Sequence, residues 1–113
     1  MNIQDRFKDY KTIVIKVGTS TITYPNGNLN FRMIDRLCWM MSDLKNRDKN
    51  VVLVSSGAIG VGSKRLGFET RPQLTREKQA SAAVGQAILM QIYQSFFNTY
   101  TQTLPHILLT KTH

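Results

Sequence analysis

Cysteine is almost missing from this 113-residue chain: Cys38 stands alone. No intrachain disulfide can form, which fits a reducing compartment. Long apolar runs are missing as well. None approaches the ~18 residues of a membrane span, and Met1–Lys11 is polar and charged where a signal peptide needs an apolar stretch. The chain therefore reads as cytoplasmic, with no membrane partner. Histidine is limited to His106 and His113. Neither has cysteine or acidic neighbours at metal spacing, which argues against a zinc site, and no residue is assigned to a metal. Acids are scarce: 7 Asp and Glu stand against 15 Lys and Arg, a formal net charge of +8. That imbalance can signal a polyanion partner. Its arrangement argues against nucleic acid, because Lys45, Arg47 and Lys49 alternate with Asp43 and Asp48 as on a solvated helix end. Only Lys64-Arg65, Arg71 and Arg76-Lys78 gather, around one loop, with no interleaved aromatic platform. The excess charge also fits a piece of a larger, more neutral protein.

Several familiar site motifs are missing too. There is no G-x-G-x-x-G. Gly57-Ala-Ile-Gly-Val-Gly-Ser-Lys64 approaches a P-loop, but its serine and lysine are in swapped order and its glycines fall inside a helical stretch. Ser55 and Ser56 lack the preceding glycine of a nucleophile elbow. With 42% hydrophobic residues, what is there describes one globular domain at most, with a small core.

The organising stretch is Thr12-Ile-Val-Ile-Lys-Val-Gly-Thr-Ser20. Its β-branched run predicts a strand covered on both faces, ending in a glycine turn. Lys16 lies at the end of that strand, where burial demands an anion for its ammonium. Gly18, Thr19 and Ser20 supply a close turn with hydroxyls beside free N–H groups, a nest for an anion such as phosphate. The same residues also suit a plain strand whose lysine reaches solvent, and spacing alone leaves both readings open.

Along the chain, Met1–Tyr10 predicts a short lead-in helix or loose arm. Pro25-Asn-Gly-Asn28 marks a hairpin or lid tip over the end of the first strand. Asn30 is a helix cap, and Phe31, Ile34, Leu37, Cys38, Met41 and Leu44 form the apolar stripe of a helix of about 15–18 residues. Cys38, Trp39, Met40 and Met41 read as packing residues rather than a redox site. Val51–Ser55 is a second apolar strand, making a βαβ unit with parallel strands and a right-handed crossover. A helix opens at Ser56-Gly57 and stops at Gly67. Thr75 caps a long helix over 76–100, whose Ala80, Ala83, Gly85 and Ala87 allow close approach. Pro105–Thr110 is a third parallel strand.

Ser55-Ser-Gly-Ala58 follows the second strand at a helix start, where free N–H groups and the positive end of the helix favour an anion. Parallel strands bring this turn and the lysine turn to one crevice. One turn could hold a phosphoryl group and the other a carboxylate. The plainer alternative makes Ser56 an N-cap and Gly57 a tight turn.

Ile13-Val-Ile-Lys-Val-Gly-Thr-Ser20, Val51-Val-Leu-Val-Ser-Ser-Gly-Ala-Ile-Gly60, Gln79-Ala-Ser-Ala-Ala-Val-Gly-Gln86 and Leu108-Leu-Thr110 together resemble, in order and spacing, the N-terminal part of the amino acid kinase family. The Ala-Ala-Val-Gly-Gln stretch is most similar to members acting on glutamate. The resemblance implies an α/β/α sandwich with a largely parallel sheet. It implies ATP-dependent phosphorylation of the L-glutamate side-chain carboxylate to glutamyl 5-phosphate, the first step of proline biosynthesis, with L-proline as feedback inhibitor, Mg2+ carried on ATP, and homo-oligomers. By that resemblance Lys16 is catalytic and, with Gly18, Thr19 and Ser20, contacts the ATP phosphates, while Ser56, Gly57 and Ala58 bind glutamate. The family's kinase domain is longer than this chain. Residues 1–113 are thus expected to be its N-terminal, glutamate-binding part, with the remainder absent, half an active site and no activity alone. The alternatives are a half-domain acting only in assembly, or a related member acting on acetylglutamate or carbamate.

Overall fold

A computed structural model describes residues 11–110. The lead-in expected over Met1–Tyr10, and His113, lie outside the described residues. The order is β1 (Thr12–Val17), α1 (Thr19–Ile22), α2 (Phe31–Asn46), β2 (Asn50–Ser55), α3 (Ala58–Leu66), α4 (Thr75–Thr99) and β3 (His106–Leu109). The three strands are parallel and lie in the order β1-β2-β3. Val17 pairs with Ser55, and Ser55 with Leu109, so all three C-terminal ends meet along one margin of the sheet.

Side chains alternate across the pleat. Ile13, Val17, Val51 and Leu53 are buried in one cluster with Ile34, Cys38, Met41 and Leu44 of α2 and Leu89, Tyr93 and Phe97 of α4. On the other face Val14 is 58% and Leu108 51% exposed. The chain is thus α/β with a parallel sheet, and the described residues supply one of the two helical layers of a sandwich. This corrects the reading of β1 as covered on both faces. β1 is an edge strand, and its Lys16 is exposed. Strands added in one direction by right-handed crossovers send every connecting helix to the same side of the sheet, which leaves the other side uncovered among the described residues.

The helices begin and end for local reasons. Asn30 caps α2, its side chain accepting the Met33 N–H at 3.1 Å. Gly67, at φ +87°, ends α3 in the left-handed conformation that glycine adopts without a Cβ penalty. Thr75 proves to be the first residue of α4 and not its cap; Leu74 holds that position without a side-chain bond. Phe31, expected in the apolar stripe of α2, and Trp39, expected as a packing residue, are each 54% exposed. Phe31 instead meets Phe96 of α4, with ring centroids 6.3 Å apart. Where α3 crosses α4 the backbones touch. A Cβ on Gly62 would fall 1.7 Å from the Ser81 carbonyl oxygen, and one on Gly85 would fall 1.7 Å from that of Ala58. The contact uses Ser81, Ala82 and Gly85, whereas Ala80, Ala83 and Ala87 are exposed. Among the described residues no helix is long and apolar enough to cross a membrane.

Cys38 is fully buried. Burial first, and Asp35 second, push its thiol from 9.0 up to about 12. Burial likewise raises the Tyr93 phenol, and a hydrogen bond to Asp35 raises that of Tyr100. In each case the folded state keeps a proton that the unfolded chain has lost, so stability falls as pH climbs past the unfolded value. Urea unfolding should therefore show stability declining between pH 9 and 12, by up to about 1.4 kcal/mol per pH unit from the thiol. In Cys38→Ala the decline should start later, at the tyrosines, with about 1 kcal/mol lost at neutral pH.

Candidate functional site

Two turns leave the sheet at its C-terminal margin. After β1, Gly18 takes φ −84° and ψ 167°, and the chain closes at once into the single turn of α1. The Gly18 conformation is open to any residue, and a Cβ there would meet nothing within 4 Å. The glycine is therefore not needed for the bend, and what it leaves is free space above the turn. After β2, Ser55 points into the helical layer, where its hydroxyl lies 2.9 Å from that of Tyr93. Ser56 turns back toward β1, and both its N–H, at 3.0 Å, and its hydroxyl, at 3.2 Å, donate to the Val17 carbonyl. Gly57, at φ +99°, is the N-cap of α3. This removes the reading of Ser56 as a simple N-cap.

The two turns touch. A Cβ on Gly57 would sit 3.4 Å from Thr19 Oγ1 and 3.6 Å from Thr19 Cα. Thr19 Oγ1 is itself buried without a hydrogen-bond partner. A buried hydroxyl left unpaired costs about 1–3 kcal/mol, so this one is an unmet donor and acceptor at the junction. The first N–H groups of α3 have no intrahelical acceptor and carry the positive end of the helix.

Thr19 and Gly57 open into a cleft of about 400 Å³, whose other walls include Asn26, Gly60, Lys64 and Arg71. The 24–28 turn stands over it as the expected lid tip. Tyr24 N–H donates to the Asn28 carbonyl, and Lys64 Nζ donates to that of Asn26 at 3.1 Å. Of the predicted site residues only Thr19 and Gly57 line this cleft; Lys16, Gly18, Ser20, Ser56 and Ala58 do not. Lys16 lies on the open face of β1, level with Val54 and one register step before the margin. The burial that made an anion necessary for its ammonium is not observed, so its assignment rests on position and resemblance. Sequence reasoning missed Asn26, Lys64 and Arg71 as cleft walls, although it had noted two of them as part of a basic cluster around one loop. A larger cavity of about 540 Å³ lies beyond Lys64, lined by residues such as Phe31, Val61 and Ile88, and touches neither turn. Among the described residues no three carboxylate, imidazole or thiol groups converge as metal ligands do.

The sequence profile of the amino acid kinase family matches residues 11–113. The chain is similar to the glutamate 5-kinases of Enterococcus faecalis, 51% identical over 109 residues, and Clostridium perfringens, 55% over 104 residues. It is also similar to that of Clostridium tetani, 52% over 110 residues. These matches cover 92–97% of this chain but only about 40% of each relative.

The two glycine turns should respond differently to a methyl group. Gly57→Ala has the space but not the backbone freedom, and should lower the unfolding free energy in urea by about 1–2 kcal/mol. Gly18→Ala should leave stability unchanged or raise it by up to about 1 kcal/mol.

Proposed function

Because this chain belongs to the amino acid kinase family, we propose that it forms the glutamate-binding part of a site that phosphorylates the side-chain carboxylate of L-glutamate. The carboxylate oxygen attacks the terminal phosphorus of ATP, the bond to the bridging oxygen breaks, and glutamyl 5-phosphate and ADP result. This is the first step of proline synthesis. The glutamate 5-kinase name of relatives about 50% identical supports this substrate pair. The observation that carries the reading is the contact of Thr19 with Gly57, which brings the hydroxyl-bearing turn after β1 and a helix N-terminus together at one strand margin.

The roles follow from what each group can offer. Phosphoryl transfer depends on positioning and charge neutralisation more than on a covalent catalyst. Lys16 is the cation for the phosphates, and Gly18, Thr19 and Ser20 hold the transferring group. The unpaired Thr19 hydroxyl would find a partner there. Ser56 already donates its proton to Val17, so its oxygen has only lone pairs left. That suits the ammonium of an amino acid. The N–H groups of Gly57 and Ala58 suit a carboxylate. Mg2+ travels on the nucleotide, and no residue of this chain is assigned to it. The chain spans about 40% of its relatives' length, so the nucleotide pocket and the rest of the glutamate site are assigned to sequence outside this match.

In a polypeptide of the relatives' full length, Lys16→Ala should cut turnover at least about 100-fold with the fold intact. Ser56→Ala should raise KM for glutamate more than KM for ATP. Near-normal turnover in the first, or equal shifts in the second, would remove those assignments. The exposed Val14 and Leu108 face favours a second reading, a half-domain that acts only in assembly. Sedimentation of this chain as a monomer at all concentrations would count against it.

A further inference from the structure

Strand C-termini end in carbonyl oxygens, and a bare carbonyl at the mouth of a crevice repels the anions proposed to bind there. Here each end carbonyl is covered. That of Val17 accepts from the N–H and hydroxyl of Ser56. That of Ser55 accepts the Thr110 N–H at 2.9 Å, with the Thr110 hydroxyl at 3.5 Å. The carbonyl of Leu109, last in the row, is met from the helical layer: Gln86 Nε2 donates to it at 3.2 Å, from 23 residues earlier in the chain. The preceding residue, Gly85, is where α4 presses on the Ala58 carbonyl. Gly85 thus sets the distance between α4 and the first turn of α3, and Gln86 reaches from that fixed point to the end of β3.

We infer that Gln86 is a positioning residue of the ligand crevice, whose side-chain amide masks the last of the three strand-end carbonyls and so lets the margin accept an anionic substrate. The inference rests on the crevice reading proposed above. It gives the Ala-Ala-Val-Gly-Gln stretch a part in the chemistry although none of it lines the cleft. An amide suits the task because it donates without adding charge. The opposite amide orientation would set two oxygens against each other.

Three variants of this chain separate masking from packing. Gln86→Ala removes the donor, Gln86→Glu replaces it with a charged acceptor of nearly the same shape, and Gln86→Lys restores a donor on a different frame. Binding of L-glutamate, and separately of inorganic phosphate, is followed by NMR at the Gly57 and Ala58 amides, with the thermal midpoint as a control of folding. Kd for L-glutamate should rise about three- to tenfold in the alanine variant and more than about tenfold in the glutamate variant. In the lysine variant it should stay within about twofold. If the glutamate variant does not fold, the alanine and lysine variants decide between them. Equal losses in all variants, or no loss in any, overturn the role of Gln86 and leave the crevice reading standing. A wild-type chain whose amides respond to neither anion overturns the crevice reading, and this inference with it.

Discussion

The contact between the backbones of α3 and α4 governs most of what this chain can do. With glycine at 62 and 85, carbonyl oxygens of the facing helix occupy the volume that any side chain would need. The two helices therefore cross with their backbones in direct contact. That crossing fixes α3 against α4, and α4 is fixed to the sheet through Leu89, Tyr93 and Phe97. The N-terminus of α3 is thereby packed against the strand margin. Its free N–H groups stand beside Thr19 because Gly57 takes a left-handed turn that few other residues tolerate. A site built on helix termini is only as precise as the packing behind it, and here the packing is backbone on backbone.

Much of this was legible in the residues, and the failures have physical causes. Asn30, Gly67 and the spacing of Ile34, Cys38, Met41 and Leu44 marked helices that the structure contains, because caps and stripes are local signals. The parallel strands followed from the βαβ pattern. The exposure of Val14 did not, since a β-branched residue looks the same whether its cover comes from this stretch of chain or from elsewhere. Trp39 and Phe31 were misread as packed because periodicity does not say where a helix overhangs its sheet. Along α4, small residues occur on several sides of a 25-residue helix. The choice of Ser81, Ala82 and Gly85 over Ala80, Ala83 and Ala87 was set by the partner helix and not by composition.

The candidate site divides the same way. The two turns and their convergence could be read from strand, glycine and hydroxyl patterns. The walls of the cleft could not, because Asn26, Lys64 and Arg71 arrive from the α1–α2 connection, helix α3 and the α3–α4 connection. Ser55 and Ser56 are adjacent and chemically identical, yet one is buried against Tyr93 and the other faces β1. The pleat assigns them to opposite faces, so of the two hydroxyls only that of Ser56 turns toward β1.

The bare side of the sheet has a consequence for topology. A right-handed crossover lays a helix there when it connects strands running in the opposite spatial order, that is, strands added outward from the edge of β1. The winding would then reverse next to Lys16. Open α/β sheets bind their ligands at such reversals. The strand that looks most peripheral in this chain is thus the one around which a completed sheet would be centred.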